Sequence, residues 1–224
     1  VTLDLSCIPF QNTPEDTAAL NVRYWLPLGD GIGDVVLLGS VNYRGEVFGG
    51  ATMHPDDEPR GWIDAYHVYN LSAEWNGIMG SSFDARAFVN NVADDTYILA
   101  TYTGYANSSG FTNDMYGEPR MWGVSLRYRF LEDDHLYATY SEGFKSGGFN
   151  IAAADPTPFN PEELKAIEVG VKTSPVRRLS ANVSAFYYDY TDQQVMTVAN
   201  NFNITANAAS SELYGLDADL AARV

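Results

Sequence analysis

Met121-Trp122-Gly123-Val124-Ser125-Leu126-Arg127-Tyr128-Arg129-Phe130 is the stretch that decides how this chain folds. Successive side chains of an extended strand point to opposite faces. Trp122, Val124, Leu126, Tyr128 and Phe130 therefore share one face, and Met121, Gly123, Ser125, Arg127 and Arg129 the other. One face is apolar and the other is polar and cationic.

The same period of two recurs on both sides of this segment. Upstream, Leu20, Val22, Tyr24 and Leu26 alternate with Asn21 and Arg23, Tyr69 to Trp75 with Asn70, Ser72 and Glu74, and Phe83 to Val89 with Asp84 and Arg86. Downstream, Ile167, Val169 and Val171 alternate with Glu168, Gly170 and Lys172, and Tyr214 to Ala222 with Gly215, Asp217 and Asp219. With 35–48, 97–105, 136–141 and 179–190 added, the pattern predicts about ten antiparallel strands separated by turns rich in Gly, Asn, Asp and Pro. Helical periodicity is almost absent.

Such alternation has two physical solutions. A soluble sandwich or barrel turns its apolar face inward, whereas a membrane barrel turns it to lipid and lines its lumen with the polar face. Aromatics near strand ends, among them Tyr24, Trp25, Tyr187, Tyr188 and Tyr190, favour the membrane, where barrels carry aromatic girdles; such residues also cap soluble cores. Longer polar connections at 53–61, 106–119 and 151–163 alternate with short turns, as expected of an outer-membrane barrel.

Composition limits the function classes. Asp and Glu number 29 against 13 Lys and Arg, a formal charge of -16. Nucleic acid is excluded as a partner, since phosphate binding needs an excess of basic residues. Cys7 is alone, so neither an intrachain disulfide nor a cysteine-based zinc site is available. The longest apolar runs fall short of the roughly 18 residues of a membrane helix, while a membrane β-strand needs only about 9–11. The segment before Arg23, the first basic residue, has no apolar core and reads as lacking a signal peptide.

Catalytic patterns are missing as well. Gly143 and Gly148 have phosphate-loop spacing, but Phe149-Asn150 stands where Lys and Ser or Thr are required. His54, His67 and His135 form no metal pair, and no Gly-x-Ser-x-Gly elbow exists. Asp133-Asp134 and the pair Asp217 and Asp219 read as solvated turn and lumen charges ahead of acid–base partners. The expectation is a protein that is not an enzyme and holds no cofactor or resident metal. The acidic loops leave a second reading open, the gathering of a cation or a ferric chelate.

Residues 136–150, Leu-Tyr-Ala-Thr-Tyr-Ser-Glu-Gly-Phe-Lys-Ser-Gly-Gly-Phe-Asn, resemble the mid-barrel signature of TonB-dependent outer-membrane receptors. The motif residues are Tyr140, Gly143, Phe144, Lys145, Gly147, Gly148, Phe149 and Asn150. Read without the family, this stretch is a strand end running into a glycine-flexible loop, with Lys145 snorkelling or meeting a carboxylate. The likeness continues through Phe159-Asn160-Pro161-Glu162, Ile167 to Thr173, Ala185 to Tyr190, Asn207-Ala208-Ala209 and Tyr214 to Asp217. Pro119 to Phe130 resembles the strand that ends these receptors. In it Trp122, Val124, Leu126, Tyr128 and Phe130 would be the signal read by the barrel-assembly machinery.

Residues 1–130 thus resemble the C-terminal end of the receptor barrel and 131–224 its middle, in permuted order within one continuous β domain. Phe130 is followed by Leu131-Glu132-Asp133-Asp134 instead of a free carboxylate. No segment resembles the plug or the TonB-contacting box. The resemblance implies an all-β, antiparallel transmembrane-type barrel, partial against a full complement of roughly 22 strands. It implies a bacterial outer-membrane location, surrounding lipid, and uptake of a scarce bulky solute such as an iron–siderophore complex, with energy coupling through TonB in the parent family. On this reading the chain is a fragment that does not transport alone.

The alternative is a self-contained barrel of about ten strands, closed by pairing 1–28 with 212–224 and acting as a passive membrane or ligand-binding protein. A soluble lipocalin-like binder is the third reading. It requires Trp122, Val124, Leu126 and Tyr128 to point inward.

Overall fold

A computed structural model describes residues 9–29, 31–50, 61–102, 113–132, 134–150, 158–176, 178–199 and 202–222. Thr17–Trp25 (β1) pairs with Asp34–Arg44 (β2). Beyond β2 the short strands Val47–Phe48 (β3) and Trp62–Ile63 (β4) pair with each other, and Tyr66–Asn76 (β5) and Phe83–Asn90 (β6) rejoin the sheet. A second outlying hairpin, Ile98–Tyr102 (β7) with Asn113–Tyr116 (β8), precedes Met121–Arg129 (β9) and His135–Lys145 (β10). A third, Gly148–Phe149 (β11) with Pro158–Phe159 (β12), precedes Glu162–Val176 (β13) and Leu179–Thr191 (β14). The fourth, Gln194–Ala199 (β15) with Phe202–Asn207 (β16), leads into Ser210–Ala222 (β17). The main sheet has nine strands in the order β1-β2-β5-β6-β9-β10-β13-β14-β17, all antiparallel.

Connections of two kinds alternate. The spans 26–33, 77–82, 130–134 and 177–178 are short; 45–65, 91–120, 146–161 and 192–209 are long, and each long one carries a hairpin. Because neighbouring strands run in opposite directions, all the long connections lie at one end of the sheet. The short ends are tied by polar contacts. The Trp75 indole donates to the Ile32 carbonyl at 2.8 Å, and the Ser174 N–H donates to the Asp134 carboxylate at 2.6 Å.

The register aligns every apolar face. One row of directly opposed residues crosses all nine strands through Tyr24, Leu37, Ala73, Ala87, Val124, Tyr140, Ile167, Tyr187 and Tyr214. It contains no charged side chain. The adjacent row on the opposite face holds Glu74, Arg86, Ser125, Thr139 and Glu168.

The apolar face is the exposed one: Trp122, Val124, Leu126 and Tyr128 are 41%, 44%, 47% and 39% exposed. A water-soluble barrel hides this face, so the lipocalin-like arrangement is not adopted. Val47, Phe48 and Ile63 are among the few fully buried apolar side chains described. They belong to the outlying hairpin β3–β4 at the long-loop end, and Val36 on β2 is the further buried apolar side chain described, so most of the sealed core sits in the loops.

Three expectations are corrected. The segment 97–105 supplies β7, which pairs with the short β8 of its own loop and leaves nine strands in the sheet instead of ten. The segment 35–48 breaks after Arg44, where the Gly45 N–H turns to the Asp16 carbonyl at 2.9 Å. Finally, β1 and β17 do not meet, and the small closed barrel is not formed. Both strands run from the long-loop end to the short-turn end, so joining them would put a parallel seam in an antiparallel sheet.

Candidate functional site

The long-loop end is where the sheet delivers its variable chemistry. On β10, Tyr140 points outward, its ring 5.1 Å from Trp122 and its hydroxyl donating to Glu142 at 3.1 Å. Gly143 lies opposite Leu164, Phe144 opposite Glu163, and Lys145 ends the strand opposite Glu162. The chain then turns tightly. A Cβ on Gly147 would come within 2.6 Å of the Phe159 carbonyl, and one on Gly148 within 2.9 Å of the Phe159 ring. Phe149 pairs with Pro158 in the same hairpin.

Asn150 joins this hairpin to the next loop. Its buried side-chain amide donates to the Thr205 carbonyl at 2.7 Å and accepts from the Thr205 N–H at 2.6 Å. The motif residues therefore shape one loop and staple it to its neighbour. Further amides continue the network: the Asn160 N–H donates to Asn207 at 2.6 Å, and the Gln194 amide donates to the Ser146 carbonyl at 2.7 Å.

A matching anchor holds the loop 91–120. Buried Asn91 donates to the Asp95 and Glu118 carbonyls at 2.9 and 3.0 Å, and Arg120 pairs with Asp94 at 2.8 Å. The Tyr97 ring lies 4.6 Å from Tyr66, and burial pushes its phenol above the ordinary range. Nothing in the sequence signals these hydrogen-bonding roles for Asn91, Asn207 and Gln194, although Asn207 falls in the family-like Asn207-Ala208-Ala209, because an amide in a loop carries no periodic signal. Between the loops 91–120 and 146–161 lies a cleft of about 370 Å³, walled by Tyr116, Phe144 and Phe159 with Asp95 and Asp114 among its polar groups.

The polar face of the sheet has its own order. Asp84, only 4% exposed, accepts from the Gly77 N–H at 2.8 Å and from Arg127 and Arg129 at 2.9 and 3.1 Å. The cationic side of the opening strand is thereby partly neutralised. Three aromatic rings occupy the space beside directly paired glycines: Phe88 at Gly123, Tyr137 at Gly170 and Phe186 at Gly215. Tyr137 also donates to Glu168. No trio of His, Cys, Asp or Glu is placed to hold a metal among the described residues. His67 stacks between Tyr43 and Tyr69; Cys7, His54 and Asp133 lie outside the described residues.

Trp122, Val124, Leu126 and Tyr128 share the outward face of β9. Phe130 begins the turn to β10, its N–H donating to the Asp134 carbonyl at 3.1 Å. The family model described as TonB dependent receptor-like, beta-barrel matches residues 97–223, more than half of the chain. The matched span crosses the Phe130–Leu131 junction, taking in the outward-facing β9 strand together with the motif of β10. An outward apolar face, loops gathered at one end and this match converge: the chain belongs to the TonB-dependent receptor-like β-barrel family, whose role is transport at the bacterial outer membrane.

Proposed function

We propose that this sheet is one arc of a receptor barrel that imports a scarce, bulky solute such as an iron–siderophore complex, its long loops outside the cell and its short turns in the periplasm. The observation that carries the reading is the uncharged row from Tyr24 to Tyr214 across nine strands. Hydrocarbon rewards so wide an exposed apolar band, as in the lipid-facing belt of a membrane barrel. Bacterial outer-membrane barrels contain an even number of antiparallel strands. Nine strands with like-directed edges therefore call for an odd number of further strands, and this arc alone does not transport.

Fractionation of cells expressing the parent gene, combined with uptake of a radiolabelled ferric siderophore in a deletion strain, tests the proposal. Recovery in the outer membrane and loss of uptake are expected. Recovery in the soluble fraction without detergent would overturn the membrane reading; membrane recovery with unchanged uptake would overturn the solute.

A further inference from the structure

The cleft between the loops 91–120 and 146–161 has a chemistry that iron-chelate uptake does not by itself require. At about 370 Å³ it sits at the small end of the roughly 300–1,000 Å³ of ligand pockets, enough for one portion of a bulky solute. Tyr116, Phe144 and Phe159 give its walls three aromatic residues beside Pro119, Pro158 and Pro161, and among the described residues no Lys, Arg or His lines it.

The carboxylates at the cleft are not equivalent. Asp94 is matched by Arg120 at 2.8 Å. Asp114 accepts the Thr101 hydroxyl at 2.6 Å, which orients it without neutralising it. Neither Asp114 nor Asp95 has an ion-pair partner among the described residues. Two negative charges without an ion-pair partner among the described residues thus border a cleft that three aromatic residues line, and both features attract a cation: the charges focus field into the concavity, and aromatic rings favour a cation nearby.

The walls are held where they are by backbone geometry. Side chains at Gly148 and Gly117 would collide with the Phe159 and Tyr97 rings. Asn91 and Asp94, at the base of the adjoining loop, keep left-handed φ values of 47° and 60°. Conformations of this kind persist only where the surroundings enforce them, here through the hydrogen bonds of Asn91.

We propose that this cleft is a recognition site for an organic cation, the ammonium-bearing apolar arm of the solute carried by the receptor. The proposal rests on the loops facing outward, as argued above. The aromatic enclosure carries it together with the charge, since an acidic patch alone would not distinguish a ligand from bulk counter-ions. Anionic chelates are repelled at this position.

The test uses the full receptor in detergent and three ring-bearing probes: benzyltrimethylammonium, benzyl alcohol and benzoate. Calorimetry is expected to show the cation binding about tenfold more tightly than the alcohol, the size of one cation–π contact reinforced by charge, with benzoate undetected. The D95N/D114N variant should lose most of the cation's advantage over the alcohol, keeping only what the rings supply. Phe144→Leu keeps the bulk and removes a ring, and should weaken the cation more than the alcohol. Heat-modifiable gel mobility confirms that each variant is folded. Equal affinity for all three probes, or a cation preference undiminished by D95N/D114N in folded protein, overturns the proposal. If those results come from a receptor still found in the outer membrane, the cleft assignment fails while the transport reading stands; a soluble receptor overturns both.

Discussion

Gly170 and the ring of Tyr137 form a single packing unit. A Cβ at Gly170 would lie 2.7 Å from that ring, so Gly170→Ala must lift the ring and strain its bond to Glu168. The expected cost is about 1–3 kcal/mol, the usual range for overpacking. The Y137A/G170A double variant should recover part of that loss, which a double-mutant cycle on urea unfolding would measure. Additive losses would show that ring and glycine are independent. Nothing in the sequence paired these two residues, because their contact depends on the register of β10 against β13. Asp84 was hidden for the same reason: its partner Arg127 is 43 residues away, and only its side of the strand was legible.

Strands were the most legible elements. The segments at 83–90 and 121–130 were bounded within a residue, since the alternation of apolar and polar side chains is strict within them and stops at polar or charged turns. The short strand β4 and the paired strands β11–β12 and β15–β16 escaped notice because two to six residues are too few for a period of two to stand out, and β3 reads as a continuation of β2. The segment 97–105 showed the converse: alternation marks a strand without saying which sheet it joins. Orientation of the faces gives a direct prediction on β9. Val124→Arg places a charge on the lipid side and should cost about 2–4 kcal/mol near the bilayer midplane, whereas Ser125→Arg, facing the lumen beside Arg86 and Thr139, should cost far less. Equal losses of folded barrel, read by heat-modifiable mobility after refolding in lipid, would reverse the assignment of faces. The motif in β10 was recognisable by its residues, but its structural part in joining two loops through Asn150 and Thr205 was not, because that contact spans 55 residues.

At the scale of the molecule, the chain combines a charge of -16 with an exposed apolar band. Water and lipid each receive the surface that suits them only when the sheet is embedded. The two edges remain to be satisfied, since each presents a row of unpaired backbone groups. In the full receptor, amide hydrogen exchange over 18–24 and 211–221 should be as slow as over 122–128. Rapid exchange at either edge would show that no strand lies beside it. How the sheet ends could not be read from the alternation, which reports faces and is silent about edges.

The like direction of β1 and β17 has a further consequence for encounters within the membrane. Copies of this arc that share one bilayer orientation and keep their apolar faces on the same side can bring together only β1 with β17, and that combination is parallel. Antiparallel docking would need one copy turned upside down, with its long loops on the wrong side of the membrane. The arc is therefore a poor template for its own polymerisation, and the segment that fits its edges is one of opposite polarity.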